Sequence, residues 1–136
     1  MNLKIFCDGG ARGNPGPAAW AFIAYNEKNE VITQKNEKIG ETTNNVAEYT
    51  AVVKALEWLK TLTGTHLITA NFYIDSQLVV FQLNGLFKVK SAHLRELLLQ
   101  AKAAEIDAKG EINYHYIPRE KNFQADALVN QALDAD

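Results

Sequence analysis

Four acidic residues stand at the edges of segments that must be buried, and any fold of this chain has to reconcile them with its core. Asp8 closes the apolar run LKIFCD and Asp75 closes NFYID, while Glu48 opens the helix-like run NNVAEYTAVVKALEWL and Asp126 opens ADALVNQAL. A carboxylate taken out of water without a partner is strongly destabilising, so a convergent set needs cations to hold it together. Hard divalent ions such as Mg²⁺ suit that task, because they prefer oxygen donors and tolerate retained water. The pattern therefore points to metal-dependent, phosphate-directed chemistry.

Hydrophobic spacing gives the order of elements. Asn2 to Asp8 reads as a strand, followed by a turn-rich loop carrying Gly9, Gly10, Gly13, Pro15, Gly16 and Pro17. Ala18 to Tyr25 and Glu30 to Ile39 read as two more strands, and the short connections suggest an antiparallel meander. A helix is expected from Asn44 to Leu62, because Val52, Ala55, Leu56 and Leu59 follow the i, i+3, i+4, i+7 spacing, with Gly64 as its stop. Leu67 to Asp75 reads as a fourth strand, Ser76 to Leu83 as a short helix, and Asn84-Gly85 as a turn. A further helix is expected over Ala92 to Ala108, with Leu94, Leu97, Leu98, Ala101 and Ala104 inward and Gly110 as its stop. Glu111 to Ile117 makes a fifth strand, Pro118 to Gln124 a loop, and Ala125 to Leu133 a closing helix. The order βββαβ(α)αβα implies an α/β fold, a mixed five-stranded sheet with helices on both faces, and 136 residues fit one domain spanning 1–136.

Each acidic position also has a plainer reading. Asp8 before Gly9-Gly10 can be a turn residue, and Asp75-Ser76 a helix cap. Glu48, three residues after Asn45, can be the acidic half of a capping box, and Asp126 can simply favour the positive end of its helix. Against this, Glu48 shares a helical face with Val52, Ala55 and Leu59, which aims it at the sheet. In open α/β sheets the ligand site lies beyond the carboxyl ends of strands, where Asp8 and Asp75 sit. If those two strands are parallel neighbours, their carboxylates lie side by side.

Composition narrows the context. A net charge of −2 provides no global attraction to nucleic acid, so any such binding needs a local patch. The lone cysteine, Cys7, excludes an intrachain disulfide and reads as a small core residue. No signal-peptide pattern and no membrane-length apolar run are present, so a cytoplasmic protein is expected, a monomer without an obligatory protein partner.

Taken together, the segments DGGARGNPG (Asp8 to Gly16), TTNNVAE (Thr42 to Glu48), IDSQLV (Ile74 to Val79) and PREKNFQADALVNQAL (Pro118 to Leu133) resemble type 1 ribonuclease H, in the right order and across essentially the whole chain. The resemblance implies the ribonuclease H-like fold and endonucleolytic cleavage of the RNA strand in RNA–DNA hybrids, leaving 3′-hydroxyl and 5′-phosphate ends. Asp8, Glu48, Asp75 and Asp126 match the family's metal-binding carboxylates, implying two Mg²⁺ or Mn²⁺ ions with Asp8 bridging both and Asp126 the most mobile ligand. The same resemblance gives Asn14, Asn45 and Gln77, with the backbone at Ala11, the task of reading 2′-hydroxyls and minor-groove edges. It gives Thr43 and Asn44 a phosphate of the DNA strand. Gly9 and Gly10 would let the backbone approach the substrate closely, and Ser76 falls in the same contact region.

Two departures from the family pattern stand out. Many members carry a histidine in the loop before the last carboxylate, and here IPREKNFQ has none. Arg119 is the best-placed substitute, since a guanidinium near a scissile phosphate stabilises developing charge; a solvated loop arginine is the plainer alternative. His115 reads as a structural or surface residue, and His66 and His93 as less relevant still. Some members also insert a long basic helix and loop after the DSQ region. This chain has only NGLFKVK, where Lys88 and Lys90 beside Phe87 form a small basic remnant, so weak hybrid affinity and a shallow salt dependence are expected.

Overall fold

A computed structural model of the chain describes residues 1–62, 67–108 and 110–135. Five strands form one mixed sheet: β1 (Asn2–Ala11), β2 (Gly16–Tyr25), β3 (Val31–Thr42), β4 (Ile68–Ile74) and β5 (Gly110–Tyr116), in the order β3-β2-β1-β4-β5. β1, β2 and β3 make the expected antiparallel meander, and β4 and β5 add in parallel. The helices are α1 (Asn44–Lys60), α2 (Gln77–Leu83), α3 (Ala92–Asp107) and α4 (Phe123–Asp134), with a 3-10 turn over Arg119–Lys121.

Helices cover both faces, for a reason visible along each strand. Leu3, Ile5 and Cys7 on β1 alternate with Asn2, Lys4, Phe6 and Asp8 on the other face and point, with Phe72 and Ile74 of β4, into the main core. α1 seals that core with Val52, Ala55, Leu56 and Leu59, all essentially inaccessible, and α3 adds Leu97, Ala101 and Ala104. Leu94 and Leu98 only flank it. Tyr49 on α1 is fully buried and donates its hydroxyl to Gln82 on α2 (2.6 Å), which fixes α2 beside α1. On the opposite face α4 lays Val129 and Ala132 on Ala19 and Ala21 of β2, a second and much smaller cluster.

The differences from the sequence expectation fall at element ends. β1 does not stop at Asp8 but runs to Ala11, because the antiparallel ladder to β2 continues through Ala11 opposite Ala18. β2 starts two residues early and β3 runs on to Thr42. α1 ends at Lys60, where the Thr61 cap turns its N–H back to Trp58 and Leu59; Gly64, expected as the stop, lies outside the described residues, as does His66. Gly110 is no helix stop: α3 closes at Ala108, and Gly110 is the first residue of β5, packed against the Ile68 carbonyl. The closing helix begins two residues before Ala125, at Phe123.

Candidate active site

The chain rises into the site along β1 and β4. Their parallel register ends at Cys7 opposite Ile74, so Asp8 and Asp75 are the next residues on neighbouring strands. Glu48 reaches them because α1 lies unusually close to β1 at Gly9. A Cβ on Gly9 would sit 2.2 Å from the Ala47 carbonyl carbon and 2.4 Å from the Glu48 nitrogen, distances only a glycine permits. On the other side, Ile117 donates its N–H to the Ile74 carbonyl (3.0 Å), which extends the β5 line past β4 and brings Arg119 to the same end. Asp126 arrives on the first turn of α4.

An open cleft of about 350 Å³ collects these groups: Asp8, Glu48, Asp75, Asp126 and Arg119 all line it, together with Gly9, Gly10, Ala11 and Asn44. Three of the plainer readings fall here. Asp8 is inside a strand, paired with Ala21, rather than in a turn. The cap of α2 is Ser76, whose hydroxyl accepts from the Val79 N–H (3.3 Å), so Asp75 is not a cap. The cap of α1 is Thr43, whose hydroxyl accepts from Val46 (3.3 Å); the capping-box acid position is then Val46 itself, and Glu48 lies beyond it. Asp126 does sit where a helix favours negative charge.

The electrostatics are those of crowded anions. Burial pushes the Asp8 carboxyl up to about 8, helped by the charges of Asp75, Asp126 and Glu48 and opposed by the Gly9 N–H. Burial raises Glu48 to about 7, with the Ser76 hydroxyl pulling it down, Asp75 pushing it further up and Arg119 pulling down. Asp75 is raised as well, chiefly by burial, while the Asn122 amide and Arg119 hold it down. Glu48 Oε2 is buried without a hydrogen-bond partner. Arg119, exposed at the rim, forms no ion pair among the described residues, so its charge acts on the cleft through space.

The loop expected to contact substrate is built into the start of α1. Asn14 Oδ1 accepts the Asn44 N–H (3.0 Å), and Asn44 Oδ1 accepts the Ala11 N–H (2.8 Å). Both asparagines thus keep amide donors for another acceptor while their oxygens fix the loop. Gly9 is used by the chain's own helix, whereas a Cβ at Gly10 would meet only Val129, at ordinary distance. Asn45 is half-buried in the first turn of α1 and Gln77 is exposed at the start of α2. Lys88 and Lys90 are exposed but lie outside the cleft lining. His115 stacks on Tyr73 and meets Asn71 Oδ1 through Nε2 (2.9 Å), the surface role expected of it.

Sequence reasoning missed three residues. Asn122 is buried to 1% exposure and donates Nδ2 to the Cys7 carbonyl (2.8 Å), which ties the Arg119 loop to the strand carrying Asp8. Its signal was available as the asparagine four residues before Asp126 in the segment from Pro118 to Leu133. Asn130 donates to the Asp126 carbonyl and to its carboxylate (3.1 and 3.4 Å), and Arg12 reaches Asn130 Oδ1 (3.4 Å) while pairing with Asp134 (2.7 Å). Nothing in the local sequence marks those two.

A mixed sheet in this order, with an acidic cleft where Asp8 on β1 meets the end of β4, defines the ribonuclease H-like class of α/β domains. The family model described as "Reverse transcriptase-like" matches residues 6–132. The chain is 40% identical over 99% of its length to the bifunctional protein Rv2228c of Mycobacterium tuberculosis, of which it spans 36%. The N-terminal RNase H domain of that protein, solved as a fusion with maltose-binding protein, superposes with a TM-score of 0.90 at 38% identity, covering 98% of this chain and 100% of that one. A curated Ribonuclease H of Dechloromonas aromatica is 34% identical over 97% of this chain and 93% of its own length. LC11-RNase H1 in complex with an RNA/DNA hybrid superposes with a TM-score of 0.88 at 39% identity, covering 97% and 96% of the two chains. The chain belongs to the ribonuclease H family, type 1.

Proposed function

We propose that this protein is a divalent-metal-dependent endonuclease that hydrolyses the RNA strand of RNA–DNA hybrids by a two-metal mechanism, leaving 3′-hydroxyl and 5′-phosphate ends. The observation that carries the reading is the meeting of Asp8, Glu48, Asp75 and Asp126 in one cleft. The donor set fits hard cations. All four groups offer oxygen, Glu48 Oε2 is buried and unpartnered, and Asp8 is pushed to about 8 by surroundings that a cation would reverse. Among the described residues no three acidic groups close tightly enough to enclose one ion alone, so water or substrate oxygens would complete its shell, as Mg²⁺ prefers. Asp8 and Asp75 would be the inner ligands, with Glu48 and Asp126 closing from the two helices. When bound, the pair of ions supplies an activated water and neutralises charge on the scissile phosphate and its leaving oxygen.

The chain's own groups do the rest. Arg119, free of an ion pair among the described residues, projects positive charge onto the cleft where the phosphate would sit and favours its extra negative charge during cleavage. The amide donors of Asn14 and Asn45, with Gln77 at the start of α2, would test for a 2′-hydroxyl, the group that separates RNA from DNA. Thr43 and the Asn44 amide, with the Asn45 N–H that neither Asn14 nor Thr43 takes up, would offer a phosphate seat for the other strand. Few lysines approach the cleft, which supports weak binding with a shallow salt dependence.

The test is cleavage of end-labelled RNA–DNA hybrid, duplex RNA and duplex DNA with Mg²⁺ or Mn²⁺. Internal cuts in the RNA of the hybrid, abolished by a chelator, are expected. Binding without cleavage in either metal would overturn the reading, and preferred cutting of duplex RNA would redirect it.

A further inference from the structure

Beside the acidic cleft, on the face of the sheet that α4 only partly covers, lies a second groove of about 290 Å³. Lys4 and Phe6 of β1, Tyr25 of β2, Asn29 of the following turn, Lys121, Asn122, Phe123 and Gln124 line it, and no carboxylate does. In a chain with 16 acidic residues and a net charge of −2, a groove walled by two lysines and no acid carries a locally positive charge that favours anions. Its floor is aromatic. Phe6 meets Tyr25 edge-on at 5.7 Å and stacks on Tyr73 at 5.0 Å, and Tyr73 stacks on His115 at 5.3 Å. This row of rings crosses β2, β1, β4 and β5 on the side away from the main core. Phe123, at the rim, is 65% exposed and stacks on no other ring among the described residues.

The groove is joined to the cleft by the chain itself. Phe6 and Asp8, two apart on β1, point to the same side of the sheet. The 3-10 turn divides the two sites, with Arg119 facing the cleft and Lys121 the groove. A strand leaving the cleft toward Asn122 would meet the groove directly.

We propose that this groove binds single-stranded nucleic acid, namely an unpaired stretch continuous with the hybrid held in the cleft. Flat bases would lie against Phe6, Tyr25 and Phe123, and phosphates would face Lys4 and Lys121, the combination of ring platforms and cations that holds single strands without reading sequence. The idea rests on the hybrid reading only for the origin of the strand.

Binding is measured by fluorescence anisotropy with a labelled oligouridylate of about 12 nucleotides in chelator, where no cleavage occurs. Phe123→Ala and Lys4→Gln are each expected to weaken it by about tenfold, while cutting of a blunt hybrid is unchanged and thermal melting confirms the fold. Photo-crosslinking of a thiouridine-containing strand to the unaltered protein, with the labelled peptide located by mass spectrometry, is expected to mark β1 or the segment from Lys121 to Gln124. Unaltered affinity in both variants, or crosslinks confined elsewhere, would overturn the proposal. So would a dimer of the unaltered protein that Phe123→Ala dissociates, because a second copy would then occupy the groove. Blunt hybrid left uncut by a protein that still binds oligouridylate would remove the nuclease reading and leave this one standing.

Discussion

Replacing Asp8 by asparagine tests the electrostatic account of the cleft most directly. The Asp8 carboxyl, only 7% exposed, is raised from an ordinary 3.8 to about 8, chiefly by burial and then by the charges of its acidic neighbours. Between those two values the folded chain keeps a proton that the unfolded chain has released, so stability falls as pH rises across the window. At about 1.4 kcal/mol per pH unit, the cumulative loss by pH 8 is on the order of 5 kcal/mol for this one group. Asparagine abolishes the charge but needs its amide seated, so we expect Asp8→Asn to recover about 2 kcal/mol of it at the upper end of the window. For a chain of this size that is roughly a 6 °C rise in melting temperature. At about pH 4 the wild-type carboxyl is already protonated in the fold, and the gain should shrink toward zero. The assay is thermal unfolding followed by circular dichroism in chelator at the two pH values. A variant no more stable than wild type at the high value, or equally stabilised at both, would refute the reasoning. Saturating Mg²⁺ should then raise the melting temperature of wild type more than that of the variant, since a ligand stabilises only the state it binds.

Two other changes probe different parts of the construction. Gly9→Ala puts a methyl group 2.2–2.4 Å from the backbone of Ala47 and Glu48, so α1 must shift; we expect a loss of about 3 kcal/mol or more by denaturant titration, together with a smaller Mg²⁺-induced rise in melting temperature. A variant of wild-type stability would mean that the helix approaches less closely than described. Arg119→Ala, at an exposed rim position without an ion pair among the described residues, should change stability by no more than about 0.5 kcal/mol. Its turnover should fall by about tenfold or more with little change in KM, and unchanged turnover would return it to the role of a solvated loop residue.

The sequence showed the strands, helices and acidic positions because each carried a local period or a local chemical oddity. Val52, Ala55, Leu56 and Leu59 mark the inner face of α1 by spacing alone, and the structure buries all four. Asp8 and Asp75 stand out because charge follows an apolar run. What stayed hidden depended on partners distant in the chain. The extension of β1 to Ala11 is decided by Ala18 across the ladder, and the fit of Gly9 by the backbone of α1 nearly forty residues later. Asn122 looks like any loop asparagine until the Cys7 carbonyl, 115 positions away, is placed beside it. The groove at Phe6 was equally invisible, since its walls come from β1, β2 and the start of α4.

The thin seat of α4 has a consequence for how the molecule fails. Two alanines of β2 receive Val129 and Ala132 there, a far smaller buried cluster than the one on the other face of the sheet. Tethers such as the Asn36 bond to the Leu128 carbonyl (2.7 Å) hold the helix down but bury little apolar surface. Partial opening should therefore begin at this helix, carrying Asp126 out of reach while the rest of the fold stays intact. Heat would silence the molecule before it melted it, and cooling would restore it without refolding the main body.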